Sequence, residues 1–253
     1  MASWRPWHGC HKCSPGCLNC YVYRGDERYG RDASQVRLTR EFDLPARGRR
    51  GGEPSIPPGE CVFTCLTSDF FIEEADEWRV RAWRMIRARP DLMFYIITKR
   101  IERFRVSLPE DWGEGYGNVT VAATCETQEK ARARLPVLLE LPIRHREIIC
   151  EPLLEAVDLT PWLESGRIEG VTAGGESGTK ARLCRFEWMQ ALAQQCRAAG
   201  VRFTFKQTGA RFEKDGRVYR IPRREQTAQA RRAGLSTSAR RQQPEEETLF
   251  GEE

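Results

Sequence analysis

Six short runs of β-branched and aromatic residues, separated by stretches of helical periodicity, limit what this chain can become. The runs are Cys61–Thr67, Met93–Thr98, Asn118–Thr124, Arg146–Glu151, Gly170–Gly174 and Arg202–Lys206. Most do not alternate apolar with polar, as parallel strands covered on both faces should not. Between them, Glu73–Arg89 reads as a helix that stops before Pro90, because the residue preceding proline is biased away from helical geometry. Thr127 can cap a helix running to about Leu139, in which Pro136 predicts a kink or break. Phe186, Met189, Leu192 and Cys196 line one face of a helix that ends at Gly200. Alternation at spacings of about 20–35 residues means βαβ units and a parallel sheet. With one more short strand before Cys10, six to seven parallel strands suit an incomplete (β/α) barrel. An open doubly wound sheet would give the same pattern, and periodicity does not separate the two.

The length of 253 residues suits one large α/β domain with a substantial core. No stretch approaches the roughly 20 apolar residues that span a bilayer. The opening Met1-Ala-Ser-Trp-Arg-Pro-Trp7 has no apolar run after its charge, so no secretory signal is read there. A cytoplasmic protein without a membrane partner is expected. Arg47–Pro58 is a loop rich in Gly, Pro and Arg. From Arg223 onward the chain is polar and aperiodic, which predicts a domain over 1–222 and a disordered tail over 223–253. Arg217–Arg241 holds eight arginines and one acid, Glu225, and the last nine residues hold five glutamates. The formal charge of +5 is mild for a nucleic-acid binder. The arginines permit phosphate contacts without requiring them.

Ten cysteines are many for such a chain. Six of them (Cys61, Cys65, Cys125, Cys150, Cys184 and Cys196) lie singly in apolar or helical contexts and read as small core residues. The other four crowd into the segment Cys10-His-Lys-Cys13-Ser-Pro-Gly-Cys17-Leu-Asn-Cys20. A reducing compartment disfavours disulfides, so the crowding points to a metal or cluster. Structural zinc sites usually split their thiolates into two distant pairs. An iron–sulfur cluster is wider and is commonly held by cysteines close in sequence.

Cys13-x3-Cys17-x2-Cys20 matches the spacing of the radical S-adenosylmethionine (SAM) superfamily, in which three thiolates leave one iron open for SAM. An aromatic commonly precedes the last cysteine there, whereas here Asn19 precedes it and Tyr21 follows. The opening Trp4-Arg-Pro-Trp-His-Gly-Cys10…Ser14-Pro-Gly-Cys-Leu-Asn-Cys-Tyr21 resembles an uncharacterised, phage-associated family within or near that superfamily. Thr67-Ser-Asp-Phe-Phe71, Ile97-Thr-Lys-Arg100, Cys150-Glu-Pro-Leu-Leu154, Gly174-Gly-Glu-Ser-Gly178 and Phe205-Lys-Gln-Thr-Gly209 extend the resemblance over roughly residues 4–210. The resemblance implies a partial barrel, a 4Fe–4S cluster, SAM, and an electron donor such as flavodoxin or ferredoxin. It also implies Cys10, Cys17 and Cys20 as the ligands, with Cys13 as the alternative third.

In parallel α/β barrels the reactive groups gather at the C-terminal ends of the strands. Those ends here carry Thr67, Ser68 and Asp69; Thr98, Lys99 and Arg100; Thr124 and Glu126; Glu151; Glu176 and Ser177; and Lys206 and Gln207. Asp69, Glu126 and Glu151 are the candidate catalytic carboxylates. Asp69 suits an ammonium or ribose hydroxyls, while Lys99 or Arg100 suits a carboxylate. Lys206 joins this cofactor-binding set. Gly174-Gly175-Glu176 either lets the backbone approach a ligand or is simply a glycine-rich strand-to-helix turn.

Two other classes compete with the enzyme. One is a non-catalytic nucleic-acid-binding protein stapled by zinc or a cluster. The other is a thiol redox protein using Cys10-x2-Cys13 or Cys17-x2-Cys20. The sequence names no substrate; nucleic acid is compatible with the arginines, and protein is the alternative.

Overall fold

The computed structural model describes residues 1–48 and 51–237. In chain order its strands are β1 (Ala2–Trp4), β2 (Trp7–His8), β3 (Arg37–Leu38), β4 (Cys61–Thr64), β5 (Met93–Thr98) and β6 (Val119–Thr124). They continue with β7 (His145–Cys150), β8 (Gly170–Gly174), β9 (Cys184–Arg185), β10 (Arg202–Gln207), β11 (Arg211–Lys214) and β12 (Arg217–Arg220). The helices are α1 (Tyr21–Arg28), α2 (Asp76–Arg87), α3 (Gln128–Glu140), α4 (Thr160–Leu163), α5 (Phe186–Ala198) and α6 (Arg223–Arg232).

Seven strands form one sheet in the order β1-β4-β5-β6-β7-β8-β10, and every neighbouring pair is parallel. The spatial order never reverses the chain order. A doubly wound sheet reverses at a switch point, so the molecule is a (β/α) half-barrel. The first strand is the short one expected before Cys10.

β4 stops at Thr64, three residues before the expected end. Cys65 has a φ of 64°, a left-handed conformation that breaks the ladder. The following Thr67-Ser68-Asp69 segment is thereby turned across the end of the barrel. Arg79 of α2 is fully buried beneath it. Its guanidinium donates to Phe70 O and Ile72 O, both at 2.7 Å, and to Asp76 Oδ1 at 2.9 Å. Trp7, Phe70, Trp83 and Trp112 pack alongside, with ring centroids about 5 Å apart along the row. Aromatic pairs in such offset and edge geometries contribute beyond the area they bury.

Two helices differ from expectation. α2 begins at Asp76, after a separate 3-10 turn over Glu73–Ala75. α3 runs through Pro136 to Glu140, so of the expected kink or break the break does not occur, and its Thr127 cap accepts from Lys130 N at 3.3 Å.

A larger correction concerns the C-terminus. Residues 223–232 are not a disordered tail but form α6, whose Ala230 and Gln226 are buried. Gln226 Nε2 donates to Ile221 O at 3.0 Å and the Gln226 backbone carbonyl accepts from Thr208 N at 3.3 Å. Beyond α6, Thr237 N donates to Phe203 O at 2.9 Å, and Ser236 Oγ accepts from Phe205 N at 3.0 Å. The ordered domain therefore passes the expected boundary at 222. The rest of the expected tail, residues 238–253, lies outside the described residues, as do Arg49 and Arg50.

Among the described residues no helix is long and apolar enough to cross a membrane.

Candidate functional site

A cavity of about 670 Å³ lies between the C-terminal strand ends and the loop that carries the cysteines. That volume is typical of small-molecule sites. Cys10, Cys17 and Cys20 line it, and Cys13 does not. From the strand ends it receives Asp69, Lys99, Arg100, Thr124, Glu151, Gly175, Glu176 and Lys206. Side chains from six strands and the N-terminal loop, remote in sequence, thus share one space.

The cysteine loop is fastened at several points. Gly9 N donates to Thr67 O at 3.1 Å and Cys10 N to Ala33 O at 2.8 Å. Arg100 Nη2 donates to His11 O at 2.7 Å. Ser14 Oγ donates to Glu126 Oε1. A Cβ at Gly16 would lie 2.5 Å from that same carboxylate oxygen, so a side chain there would push Glu126 off its bonds to Ser14 and Arg134. Arg182 Nη1 donates to Pro15 O at 3.0 Å, and Asn19 Nδ2 donates to Glu176 Oε2 at 2.9 Å.

Each strand-end residue has its own surroundings. The Asp69 carboxylate accepts from Thr98 Oγ1 at 2.7 Å, Lys99 N at 2.8 Å and Phe71 N at 3.0 Å, with Arg100 Nη1 at 3.4 Å. It lines the cavity, yet its oxygens already serve to join the ends of β4 and β5. Arg100 Nη1 also reaches Cys10 Sγ at 3.6 Å. Glu126 is fully buried under the loop, paired with Arg134 at 2.7 Å, and does not line the cavity. Burial alone would raise its carboxyl, but the charges of Lys99 and Arg134 hold it below the usual value. Glu151 faces the cavity, bonded to Lys206 Nζ at 2.7 Å and Gln207 Nε2 at 2.8 Å.

Gly174 and Gly175 serve close packing of strands. A side chain at Gly175 would collide with Thr208 O, and Gly174 lies outside the cavity lining. Glu176 accepts from Arg182 N and Nε, both at 2.9 Å. Burial opposes its ionisation, but Arg182 and Asn19 hold the carboxyl below its usual value.

Two groups in the cavity lack partners. The Lys99 ammonium makes no hydrogen bond or ion pair among the described residues. Thr124 Oγ1 is buried without a partner. Unpaired buried polar groups cost free energy unless a ligand or water answers them.

The thiols differ from one another. Its neighbour Cys13 pulls Cys17 down to about 4, with Ser14 and Lys99 acting in the same sense. Cys13 is raised by the same pairing. Burial and then Asp69 push Cys10 up to about 11, against the pull of Arg100. Among the described residues no three His, Cys, Asp or Glu side chains are grouped to hold a single metal ion. The three cavity thiols, beside Arg100 and Lys99, have the donor chemistry of an iron–sulfur cluster, a group wider than one ion.

Sequence reading missed α6 entirely, although Arg223, Gln226 and Thr227 form one wall of the cavity. The one available signal was the i, i+4 pair Gln226 and Ala230.

The chain belongs to a family described as protein of unknown function (DUF5131), whose model matches residues 1–249. No curated protein and no solved structure matches it.

Proposed function

We propose that this member of the family is a radical SAM enzyme, with a 4Fe–4S cluster on Cys10, Cys17 and Cys20 and SAM in the adjoining cavity. One observation carries the reading: those three cysteines, without Cys13, open onto the same space as the polar strand ends. Cys10, Cys17 and Cys20 would hold the cluster, which would supply the electron for reductive cleavage of SAM and so the means of abstracting hydrogen from a substrate.

The chain's own residues bind and exclude. Lys99, lacking a partner, suits the SAM carboxylate. Glu151 suits an ammonium or ribose hydroxyls, and the Thr124 hydroxyl is free to donate. Asp69 and Arg100 act as positioning residues, because their bonds run to Lys99 N, Cys10 and His11. Glu126 and Glu176 brace the loop that keeps water out. An electron donor such as flavodoxin or ferredoxin completes the requirement.

The test is anaerobic reconstitution followed by SAM and dithionite. Iron with sulfide and release of 5′-deoxyadenosine support the enzyme. Zinc in place of iron returns the protein to a metal-stapled binding module. A metal-free protein favours a thiol redox role, which the lowered Cys17 thiol, beside Cys13, Ser14 and Lys99, supports.

A further inference from the structure

The formal charge of the chain is concentrated in one place. Residues 211–232 hold eight Lys and Arg against three Asp and Glu, a net +5, while the rest of the chain holds 33 of each. That segment is β11, β12 and α6. β12 is the edge strand of the small β12-β11-β9 sheet, and all four of its residues are exposed. β11 and β12 set Arg211 directly opposite Arg220, and Lys214 opposite Arg217.

Like charges facing each other across a ladder destabilise it. A polyanion laid along the ribbon would remove that repulsion. Arg211, Arg217 and Arg220 make no ion pair among the described residues, and Lys214 has only Asp215 at 4.0 Å. Tyr219 sits among these cations, 40% exposed, with the Arg217 guanidinium 5.2 Å from its ring centroid. Cations along a backbone track, with a ring on which a base can stack, are what single-stranded nucleic acid requires.

The ribbon leads into the cavity. Arg223 follows Arg220 by three residues, at most about 11 Å of chain, and lines the cavity with Gln226 and Thr227 of α6. We propose that the β11–β12 ribbon and the start of α6 bind single-stranded nucleic acid and present one nucleotide to the cavity. As the substrate surface of a radical SAM enzyme this rests on the function proposed above; the binding itself does not. A duplex would keep its bases from both Tyr219 and the cavity.

The test uses the full chain and a fluorescein-labelled oligothymidine, read by fluorescence anisotropy across a salt series. Four phosphate contacts, from Arg211, Arg217, Arg220 and Arg223, give a log–log salt slope of about −3. In the double variant Arg217→Ala, Arg220→Ala the slope shrinks by about 1.4 units, with binding at least about tenfold weaker at low salt. Tyr219→Ala weakens binding by about fivefold to a hundredfold and leaves the slope unchanged. These side chains are exposed, so an unchanged Tm accompanies each loss.

No binding of oligothymidine, or full binding by the double variant, overturns the proposal. Equal competition by duplex of the same length, or by polyglutamate, overturns it too. Iron content and 5′-deoxyadenosine release, measured on the same preparation without nucleic acid, report on the enzyme separately. Either reading can therefore fail alone.

Discussion

Asn19 donates its side-chain amide to the Glu176 carboxylate at 2.9 Å, joining the last turn of the cysteine loop to the end of β8 across 157 residues. Arg182 closes the same junction, holding Glu176 through its side chain and Pro15 through Nη1. The shape of the loop is therefore set by residues far down the chain.

Glu176→Ala should cost about 1.5–3 kcal/mol, because it removes a charged acceptor and leaves Arg182 and Asn19 unanswered. Chemical denaturation reads the loss. Iron uptake on reconstitution should fall with it, and unchanged stability would show that the junction does not hold the loop.

The thiols should separate by their place on the cavity. Replacing Cys10, Cys17 or Cys20 with Ala abolishes the iron–sulfur absorbance, whereas Cys13→Ala retains it. Iron and sulfide assays decide the matter. Retention of a full iron load by the Cys17 variant is the outcome that would sink the ligand set.

Lys99→Met should leave iron content intact and weaken SAM binding by about tenfold to a hundredfold, the loss of one charge-assisted contact. Asp69→Asn should instead lower stability, since its carboxylate faces Thr98, Lys99 N and Arg100. Equilibrium dialysis with SAM, beside a melting curve, distinguishes the two effects.

Acid should loosen the loop. Glu126 and Glu176 both have folded-state values below their ordinary 4.5. A carboxyl depressed on folding contributes stability above its unfolded value, and that stability is lost as pH falls through the folded one. Stability should thus decline from about pH 4.5 downward, with a shallower decline in Glu176→Gln. An identical pH profile in that variant would remove Glu176 from the account.

Truncation after Pro222 should destabilise the domain, because it strips α6 from β10 and opens one wall of the cavity. Ala230→Glu tests the same contact with one residue, by forcing a charge into a fully buried position. A loss of several kcal/mol is expected for an unpaired buried charge, read as a fall in Tm.

Much of this architecture was legible because buried parallel strands write themselves as continuous apolar runs, as in Met93–Thr98. The sense of winding was not, since barrel and doubly wound sheets share one pattern, and only the spatial strand order separates them. α6 escaped because its buried side is just Gln226 and Ala230, one polar and one too small to mark an apolar face. At the site, crowding of cysteines signalled the centre. Spacing offered Cys13 and the family resemblance Cys10, and in the structure Cys10 lines the cavity whereas Cys13 does not. The pairings Ser14–Glu126 and Asn19–Glu176 join residues more than a hundred positions apart, beyond the reach of any local pattern.

The loop's anchors also impose an order of events during synthesis. Cys10, Cys13, Cys17 and Cys20 are made before Glu126, Glu176 and Arg182, which fasten their loop. A nascent chain that has reached Arg100 carries all four thiols with no complete barrel end to seat them. The loop therefore reaches its final shape only once the chain has been made as far as Arg182, however early its thiols are in place.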